Sequence, residues 1–366
     1  MGRRIAHVVE LARGGITTVV RDLIRHQRAR GDAPMLIACR RLISDELAAE
    51  TGTALLYDSS RHPVRIPAVV REVRQLIART APDVLHLHST FPGLYGRLAV
   101  RGRTRPRVIY CPHGWAFAQD LPPWRRRAYA EVERALLPWT DAIVHVSRSE
   151  AAAAHGLGIA SRNDRTIANA VRDFVPDPEE VTLPGLDPAS INLAFFGRFD
   201  RQKGLDLLLA AFRERPRPRL RLWLVGSPLR GDAAMPDAAE GVFRIDWLPA
   251  DRIDAYLRLF DVVVVPSRWE AFGLIALEAM RNGRPVLVSD RGALPEWLID
   301  GYNGLVFQMD RPGSLSEALD LLAERDLALM GRRARQVFEA MPGPAARHAQ
   351  IDRLYDDVLA EEARAA

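Results

Sequence analysis

The stretch VVVVPSRWEAFGLIALEAMRNG, residues 262–283, carries the pattern on which the fold of this chain depends. Four consecutive valines predict a short buried strand, and Pro266 ends it. A helix is predicted from about Phe272 and Gly273 to Asn282 and Gly283, where the Asn-Gly pair provides a favourable C-cap. A buried strand that leads directly into a helix is the repeating unit of a parallel α/β sheet.

The same alternation continues on both sides of this stretch. Strands of a first half are predicted at residues 5–9, 35–38, 84–87, 108–111 and 142–146. Strands of a second half are predicted at residues 193–196, 220–225, 262–265 and 286–288. Helical patterns separate these strands, which implies right-handed crossovers and parallel pairing. We therefore expect the α/β class, with two doubly wound, Rossmann-like domains that face a central cleft.

Composition changes mark the predicted domain boundaries. A run rich in Pro, Asp and Glu predicts a linker at residues 176–190, between an N-terminal domain at 1–175 and a C-terminal domain at 191–344. A Pro-Gly-Pro break precedes a last amphipathic helix at 345–366, which we expect to pack back on the N-terminal domain. Because open α/β sheets bind ligands at the carboxyl ends of their strands, the loops that follow the strands should form the site.

Length and composition exclude several classes of protein. With 48% hydrophobic and 27% charged residues, the 366-residue chain can form folded cores, and its apolar runs are shorter than the ~20 residues of a membrane span. A formal net charge of +5 favours an anionic partner, but the arginines lie on helical patterns without interleaved aromatic residues, so we expect no nucleic acid. Peripheral contact with an anionic membrane surface stays open. Cys39 and Cys111 lack metal-binding spacing and fit a cytoplasmic protein.

Lys203 is the only lysine in the chain; the other 50 of its 51 basic residues are arginine. It belongs to the stretch Gly197-Arg-Phe-Asp-Arg-Gln-Lys203-Gly204, which follows a predicted strand and leads into a helix. Arg198 and Lys203 should therefore meet at the end of that strand, beside the positive end of a helix dipole. This arrangement suits a diphosphate. A solvated surface pair is the alternative, and the placement of the sole lysine here weighs against it.

Two glutamates of the opening stretch are candidates to bind sugar hydroxyls. Glu270 lies in the loop before the helix, and Glu278 lies about one and a half turns inside it. Carboxylates accept hydrogen bonds from vicinal hydroxyl groups, so the pair suits a sugar ring and a ribose. The backbone N–H groups of Phe272, Gly273 and Leu274 would face an anion placed between the two glutamates.

These motifs together resemble the retaining glycosyltransferase family 4, which has the GT-B fold. The resemblance rests on the seven residues between Glu270 and Glu278, on the Gly-Arg-Phe…Lys-Gly stretch, and on Gly292-Ala-Leu-Pro-Glu296 and Gly301-Tyr-Asn-Gly304, and it covers essentially the whole chain. It implies that Glu278 binds the donor ribose and that Glu270 contacts the donor sugar. It also implies that Arg198 and Lys203 clamp the diphosphate.

The N-terminal half resembles the family less closely. His113, in Cys-Pro-His-Gly-Trp, matches the family's histidine near the donor sugar, and Gly14 and Gly15 match its first loop, which borders the phosphate and the acceptor. The acidic residue that often follows these glycines is replaced by Thr17 or Thr18. We assign Thr17 and His88 to the acceptor side, and we expect His86 and His88 to face opposite sides of their strand.

The resemblance implies a sugar transfer with retention of configuration, from a nucleotide sugar, most simply a UDP-hexose or a UDP-N-acetylhexosamine. The sequence contains no Asp-x-Asp motif, so we expect no metal or other cofactor, and Arg198 and Lys203 would have to neutralise the leaving diphosphate. The acceptor is a lipid-linked or polysaccharide precursor or a soluble small molecule. Alternatives are a nucleotide-sugar epimerase of the same fold and a non-catalytic nucleotide-sugar-binding protein; a dehydrogenase would need the three-glycine turn that is missing here.

Overall fold

The computed structural model of the chain describes residues 2–10, 15–43, 54–173, 181–228 and 240–365. They form two compact units. Unit 1 comprises Met1–Ala170 together with Pro344–Ala366, and unit 2 comprises Val171–Gly343. None of the described helices combines the length and the apolar character that crossing a bilayer requires.

Strands and helices alternate along unit 1. Its strands are β1 (Arg4–Val9), β2 (Ala33–Cys39), β3 (Ala54–Tyr57), β4 (Val84–His88), β5 (Arg107–Cys111), β6 (Ala142–His145) and β7 (Arg165–Thr166). The helices between them are α1 (Gly15–Ala29), α2 (Ile66–Thr80), α3 (Thr90–Ala99), α4 (Pro123–Leu136) and α5 (Arg148–His155). The described strands form one sheet in the order β3-β2-β1-β4-β5-β6-β7.

Every pairing in this sheet is parallel, and the strand order reverses between β1 and β4. Ile5 of β1 thus lies between Pro34 of β2 and Val84 of β4. Helices cover both faces because each has an apolar stripe: Val73 and Ile77 of α2 pack in one core, and Val20 and Ile24 of α1 pack in another. The carboxyl ends of β1 and β4 form the switch point of the unit, where such sheets bind ligands.

Unit 2 repeats this arrangement. Its strands are β8 (Ile191–Phe196), β9 (Leu220–Val225), β10 (Val242–Ile245), β11 (Val262–Val265), β12 (Val286–Ser289) and β13 (Gly304–Phe307). Its helices are α6 (Leu205–Arg213), α7 (Ile253–Leu257), α8 (Leu274–Arg281), α9 (Ser314–Leu321) and α10 (Leu327–Ala340). The described strands pair in parallel in the order β10-β9-β8-β11-β12-β13, so the switch point lies between β8 and β11. The predicted α/β class with two doubly wound sheets is confirmed.

The last helix, α11 (Pro344–Ala365), returns to unit 1. Its buried residues Ile351, Leu354, Tyr355 and Val358 follow helical spacing and form one face. Asp352 of the same helix accepts hydrogen bonds from Arg3 at 2.7 Å and Arg30 at 3.0 Å. Apolar burial and ion pairs therefore both hold this helix against the unit formed by the first half of the chain.

Candidate active site

The loops that follow β8 and β11 lie against each other at the switch point of unit 2. Gly204 has a left-handed backbone with φ of 68°, and a Cβ atom placed there would lie 2.0 Å from the carbonyl oxygen of Pro266. No side chain fits in that space, so glycine is required where the two loops meet. This contact brings the Arg198–Lys203 segment next to the loop that carries Glu270.

Lys203 and Glu270 form an ion pair at this junction. The Lys203 Nζ donates to Glu270 Oε2 at 2.5 Å, and the hydroxyl of Ser267 donates to the same oxygen at 3.2 Å. The Lys203 side chain is 21% exposed and that of Glu270 is 12% exposed. The stem of the lysine passes over Gly197, since a Cβ built on that glycine would lie 3.6 Å from the lysine Cγ. Two of the predicted site residues are thus in direct contact.

Arg198 is held in the same loop by two neighbours that sequence reasoning missed. Its Nε pairs with Asp200 Oδ2 at 2.9 Å, and its Nη2 donates to Gln202 Oε1 at 2.7 Å. The other oxygen of Asp200 accepts the backbone N–H of Lys203 at 3.0 Å. Asp200 therefore positions both cations. Its place between Arg198 and Lys203 in the sequence was the signal that could have identified this role.

The N-terminus of α8 is built from glycine and buried apolar contacts. Gly273, with φ of 85°, precedes Leu274, and a Cβ on this glycine would lie 2.6 Å from the side chain of Leu294. Phe272 is buried at 3% exposure. The carbonyl of Glu270 accepts the N–H of Ala293 at 3.1 Å, which ties the loop to the segment after β12. The start of α8, with its positive dipole end, is therefore fixed beside Glu270.

Glu278 lies inside α8, and its side chain is partly buried. Loss of water around the carboxyl group raises its pKa to about 7, with Arg281 opposing the shift and Asp254 adding to it. Its carboxylate makes no hydrogen bond to any other residue in the described part of the chain, since the nearby Arg281 donates to Asp254 instead. A carboxylate held in this way has acceptor capacity left for hydroxyl groups.

In unit 1, His113 begins a chain of hydrogen-bonded imidazoles. Its Nε2 contacts His88 Nδ1 at 3.0 Å, His88 Nε2 contacts His7 Nδ1 at 3.0 Å, and His7 Nε2 contacts Gln27 Oε1 at 2.9 Å. Since an amide oxygen only accepts, His7 donates to Gln27, and each histidine donates to the next one inward. In this arrangement the Nδ1 atom of His113 carries no proton.

These histidines are neutral at physiological pH. Burial lowers the pKa of His113 to about 3 and that of His7 to about 4, and the buried guanidinium of Arg347 on α11 acts in the same direction. His113 also has a left-handed backbone, with φ of 51°, at the turn that follows β5. An uncharged histidine in a strained turn can accept a hydrogen bond, but it does not contribute a positive charge.

The prediction that His86 and His88 face opposite sides of their strand is wrong. Residues two apart in a strand point to the same face, and the two rings stack with their centroids 4.2 Å apart. His7 joins them because it is the register partner of His86 in the neighbouring strand. Sequence reasoning missed His7 and Gln27, although the period of two along β4 was a signal for the histidine cluster.

The predicted first loop is only partly described. Gly14 lies outside the described residues, and Gly15 is the first residue of α1. Thr17 is on the same helix, and its hydroxyl oxygen is buried without a hydrogen-bond partner among the described residues. The assignment of these residues to the donor phosphate and the acceptor stays a prediction.

Comparisons with known proteins agree with this architecture. Residues 184–337 match the family "Glycosyl transferases group 1", and residues 13–173 match "Glycosyltransferase Family 4". An uncharacterized 41.2 kDa protein in the cps region of Klebsiella pneumoniae is 28% identical over 86% of this chain and 89% of its own length. D-inositol 3-phosphate glycosyltransferase of Rhodococcus erythropolis is 28% identical over 86% of this chain and 76% of its length.

Solved structures share the fold. Sucrose-phosphate synthase from Thermosynechococcus elongatus has a TM-score of 0.80 at 21% identity, covering 98% of this chain and all of that chain. HepE from Anabaena, solved with UDP and glucose, has a TM-score of 0.75 at 17% identity, covering 96% of this chain and 98% of that chain. The chain belongs to glycosyltransferase family 4, and it is therefore an enzyme that transfers sugars.

Proposed function

We propose that this enzyme transfers a hexose or N-acetylhexosamine from a UDP-sugar to a hydroxyl group, with retention of configuration and without a metal ion. The observation that carries the proposal is the pair of Lys203 and Glu270, 2.5 Å apart at the ends of adjacent strands, with Arg198 in the same loop. A cation and a carboxylate in contact can separate to receive the diphosphate and the sugar of one donor molecule.

The donor assignment draws on Glu278. Glu278 lies on α8, the helix that follows the Glu270 loop, and its carboxylate has no hydrogen-bond partner in the described chain. It can therefore accept hydrogen bonds from the two hydroxyls of a ribose whose phosphates lie on Arg198 and Lys203. Solved structures of HepE contain UDP, UDP-glucose, or UDP and glucose, and its fold is shared by this chain. Uridine is therefore the base that we propose.

In the proposed mechanism, negative charge develops on the leaving diphosphate as the bond to the sugar breaks. Arg198, Lys203 and the N-terminus of α8 stabilise that charge, which is the role a metal ion has in other transferases. Binding of phosphate to Lys203 releases Glu270, which then accepts hydrogen bonds from hydroxyls of the sugar. The leaving phosphate takes the proton of the acceptor hydroxyl on the same face of the sugar, and His113 accepts a hydrogen bond from the donor sugar.

The acceptor is proposed only by class: a lipid-linked or polysaccharide precursor, or a soluble small molecule. The net charge of +5 suits a cytoplasmic enzyme that meets its acceptor at the anionic inner face of a membrane. The Rhodococcus relative is named for a small phosphorylated acceptor, which keeps the soluble class in the proposal.

Incubation with single donors tests this function. The purified protein is mixed with UDP-glucose, UDP-galactose, UDP-N-acetylglucosamine or GDP-mannose in excess chelator, without acceptor, and nucleotide release is followed together with the sugar product. We expect slow release of UDP from one UDP-sugar and an initial sugar product with the donor's anomeric configuration. A changed sugar still attached to UDP would indicate an epimerase. A second incubation adds a panel of acceptors. Binding of a UDP-sugar without release of UDP in either incubation would indicate a non-catalytic protein.

A further inference from the structure

A second cluster of titratable side chains lies at the β6–β7 edge of the sheet in unit 1. His145 is the last residue of β6, His155 is the last residue of α5, and Asp164 directly precedes β7. None of the three belongs to the donor or acceptor residues assigned above. Their ligand atoms all lie within 4.8 Å of one another.

The distances within the cluster fit a shared ion. Asp164 Oδ2 lies 3.0 Å from His155 Nε2 and 3.5 Å from His145 Nε2. Ligand atoms about 2.0–2.2 Å from a tetrahedral Zn²⁺ are separated by roughly 3.3–3.5 Å. Both distances from the carboxylate oxygen are thus close to those around a single zinc ion, and the ligand atoms of the two histidines lie within 4.8 Å of each other.

His145 lacks the partners that a buried histidine normally has. Its side chain is 1% exposed, and neither ring nitrogen makes a hydrogen bond to a residue in the described ranges. Its approach to Asp164 at 3.5 Å is an ion-pair contact and not a hydrogen bond. Because burial of an unpaired polar group is unfavourable, a ligand that takes the lone pair of Nε2 would remove a cost already present in the fold.

Asp164 is oriented for this role by Ser161. The backbone N–H and the hydroxyl of Ser161 donate to Asp164 Oδ1 at 2.9 Å and 2.5 Å, which leaves Oδ2 directed at the histidines. Burial acts to raise the pKa of Asp164, but its contacts with His145, Ser161 and His155 lower it to about 2. Metal sites commonly hold a ligating carboxylate through its second oxygen in this way.

We propose that His145, His155 and Asp164 bind one Zn²⁺ ion, with the fourth position open to water or another ligand. Two imidazoles and one carboxylate favour zinc over magnesium or calcium, which prefer oxygen ligands. His155 is half exposed and provides a route of entry. The ion would tie β6, α5 and the segment before β7 together, and it takes no part in the proposed diphosphate chemistry. The expectation of a metal-free chain would then hold for the donor site alone.

Calorimetric titration with ZnCl₂ tests the proposal on the full chain, stripped with chelator and transferred to chelator-free buffer. We expect one equivalent to bind, no binding of Mg²⁺, and a rise in melting temperature of about 5 °C at a free zinc concentration of 100 Kd. His155→Ala and Asp164→Asn should each weaken binding more than 100-fold. Ser161→Ala should weaken it about 10–100-fold, as expected of a residue that orients a ligand.

His62→Ala is the matched control, because His62 is an exposed histidine of the same unit and lies outside the cluster. It should bind zinc as the parent does. His155 is itself half exposed, so its alanine variant should fold, and circular dichroism of the stripped proteins checks this. The proposal is overturned if the parent binds no zinc at micromolar concentrations, or if His155→Ala and Asp164→Asn bind it as tightly as the parent. Since the readouts are affinity and melting temperature, failure here leaves the proposed transferase activity untouched.

Discussion

Replacement of Lys203 by arginine keeps the charge and changes its shape. An ammonium fits between Gly197 and Glu270 as a compact point charge, whereas a guanidinium is a planar fork that needs more space. The lysine stem lies against Gly197, with three of its carbons 3.6–3.9 Å from a Cβ built there, and its Nζ lies 2.5 Å from Glu270. The wider group cannot occupy this position without moving the carboxylate or the loop.

The expected loss follows from this geometry. A charged hydrogen bond is worth about 1.5–3 kcal/mol, and a displaced arginine retains part of it. We therefore expect Lys203→Arg to lower kcat/KM at least about tenfold, which corresponds to ~1.4 kcal/mol of transition-state stabilisation. Lys203→Ala should be worse, because the charge itself is lost from the donor site.

The two variants should differ in stability as well. Lys203→Ala leaves Glu270, at 12% exposure, with the hydroxyl of Ser267 as its remaining side-chain partner among the described residues. Because the pair is partly exposed, we expect a loss of about 1 kcal/mol in the free energy of unfolding, less than the ~3–5 kcal/mol of a fully buried pair. Lys203→Arg should lose less than Lys203→Ala, because the charge that pairs with Glu270 is kept.

The assay is kcat/KM with the active UDP-sugar, measured beside the melting temperature. Arg201→Lys, an exposed change two residues away, is the matched control and should retain parental kinetics. Near-parental kcat/KM in Lys203→Arg would show that the donor site does not require the shape of an ammonium group at position 203.

Three further predictions use other parts of the site. Glu278→Gln should raise the donor KM with kcat nearly kept. Because the pKa of Glu278 is raised to about 7, its carboxyl group loses its proton between pH 6 and pH 8, and the donor affinity of the parent should increase over this range. The glutamine variant should lack this increase. A collapse of kcat at constant KM, or the same pH profile in both proteins, would contradict this. Turnover below the melting temperature should persist in excess EDTA, and loss of turnover that magnesium or manganese restores would exclude the metal-free mechanism. Gln27→Leu should lower the free energy of unfolding by about 1–3 kcal/mol, since it leaves the buried His7 without its acceptor, and urea unfolding with no shift in midpoint would count against the histidine chain.

Local pattern was enough to predict much of unit 2. The run of four valines forms β11, and the predicted helix matches α8, because buried parallel strands and capped helices leave strong local signals. The short strands β3, β7, β10 and β13 were not predicted; β7 has two exposed residues, so it leaves no apolar run. Such edge strands are defined by their neighbours in the sheet rather than by their own composition.

Side-chain partners were harder to predict than the elements that carry them. Lys203 and Glu270 were each placed in a loop that follows a strand, but their ion pair depends on the adjacency of those two strands and on the close approach at Gly204, which no spacing along the chain shows. His7 and Gln27 come from β1 and α1 and meet His88 of β4 only in the folded unit. Contacts of this kind depend on register and on tertiary packing.

Calorimetric titration with UDP in excess EDTA, on the parent and on Lys203→Ala and Glu278→Gln, is the most direct test of a metal-free donor site formed by these residues. We expect one UDP bound per chain without metal, with affinity at least about tenfold weaker in each variant, the first for loss of a phosphate contact and the second for loss of a ribose contact. Absence of UDP binding in the parent, or parental affinity in both variants, would contradict it.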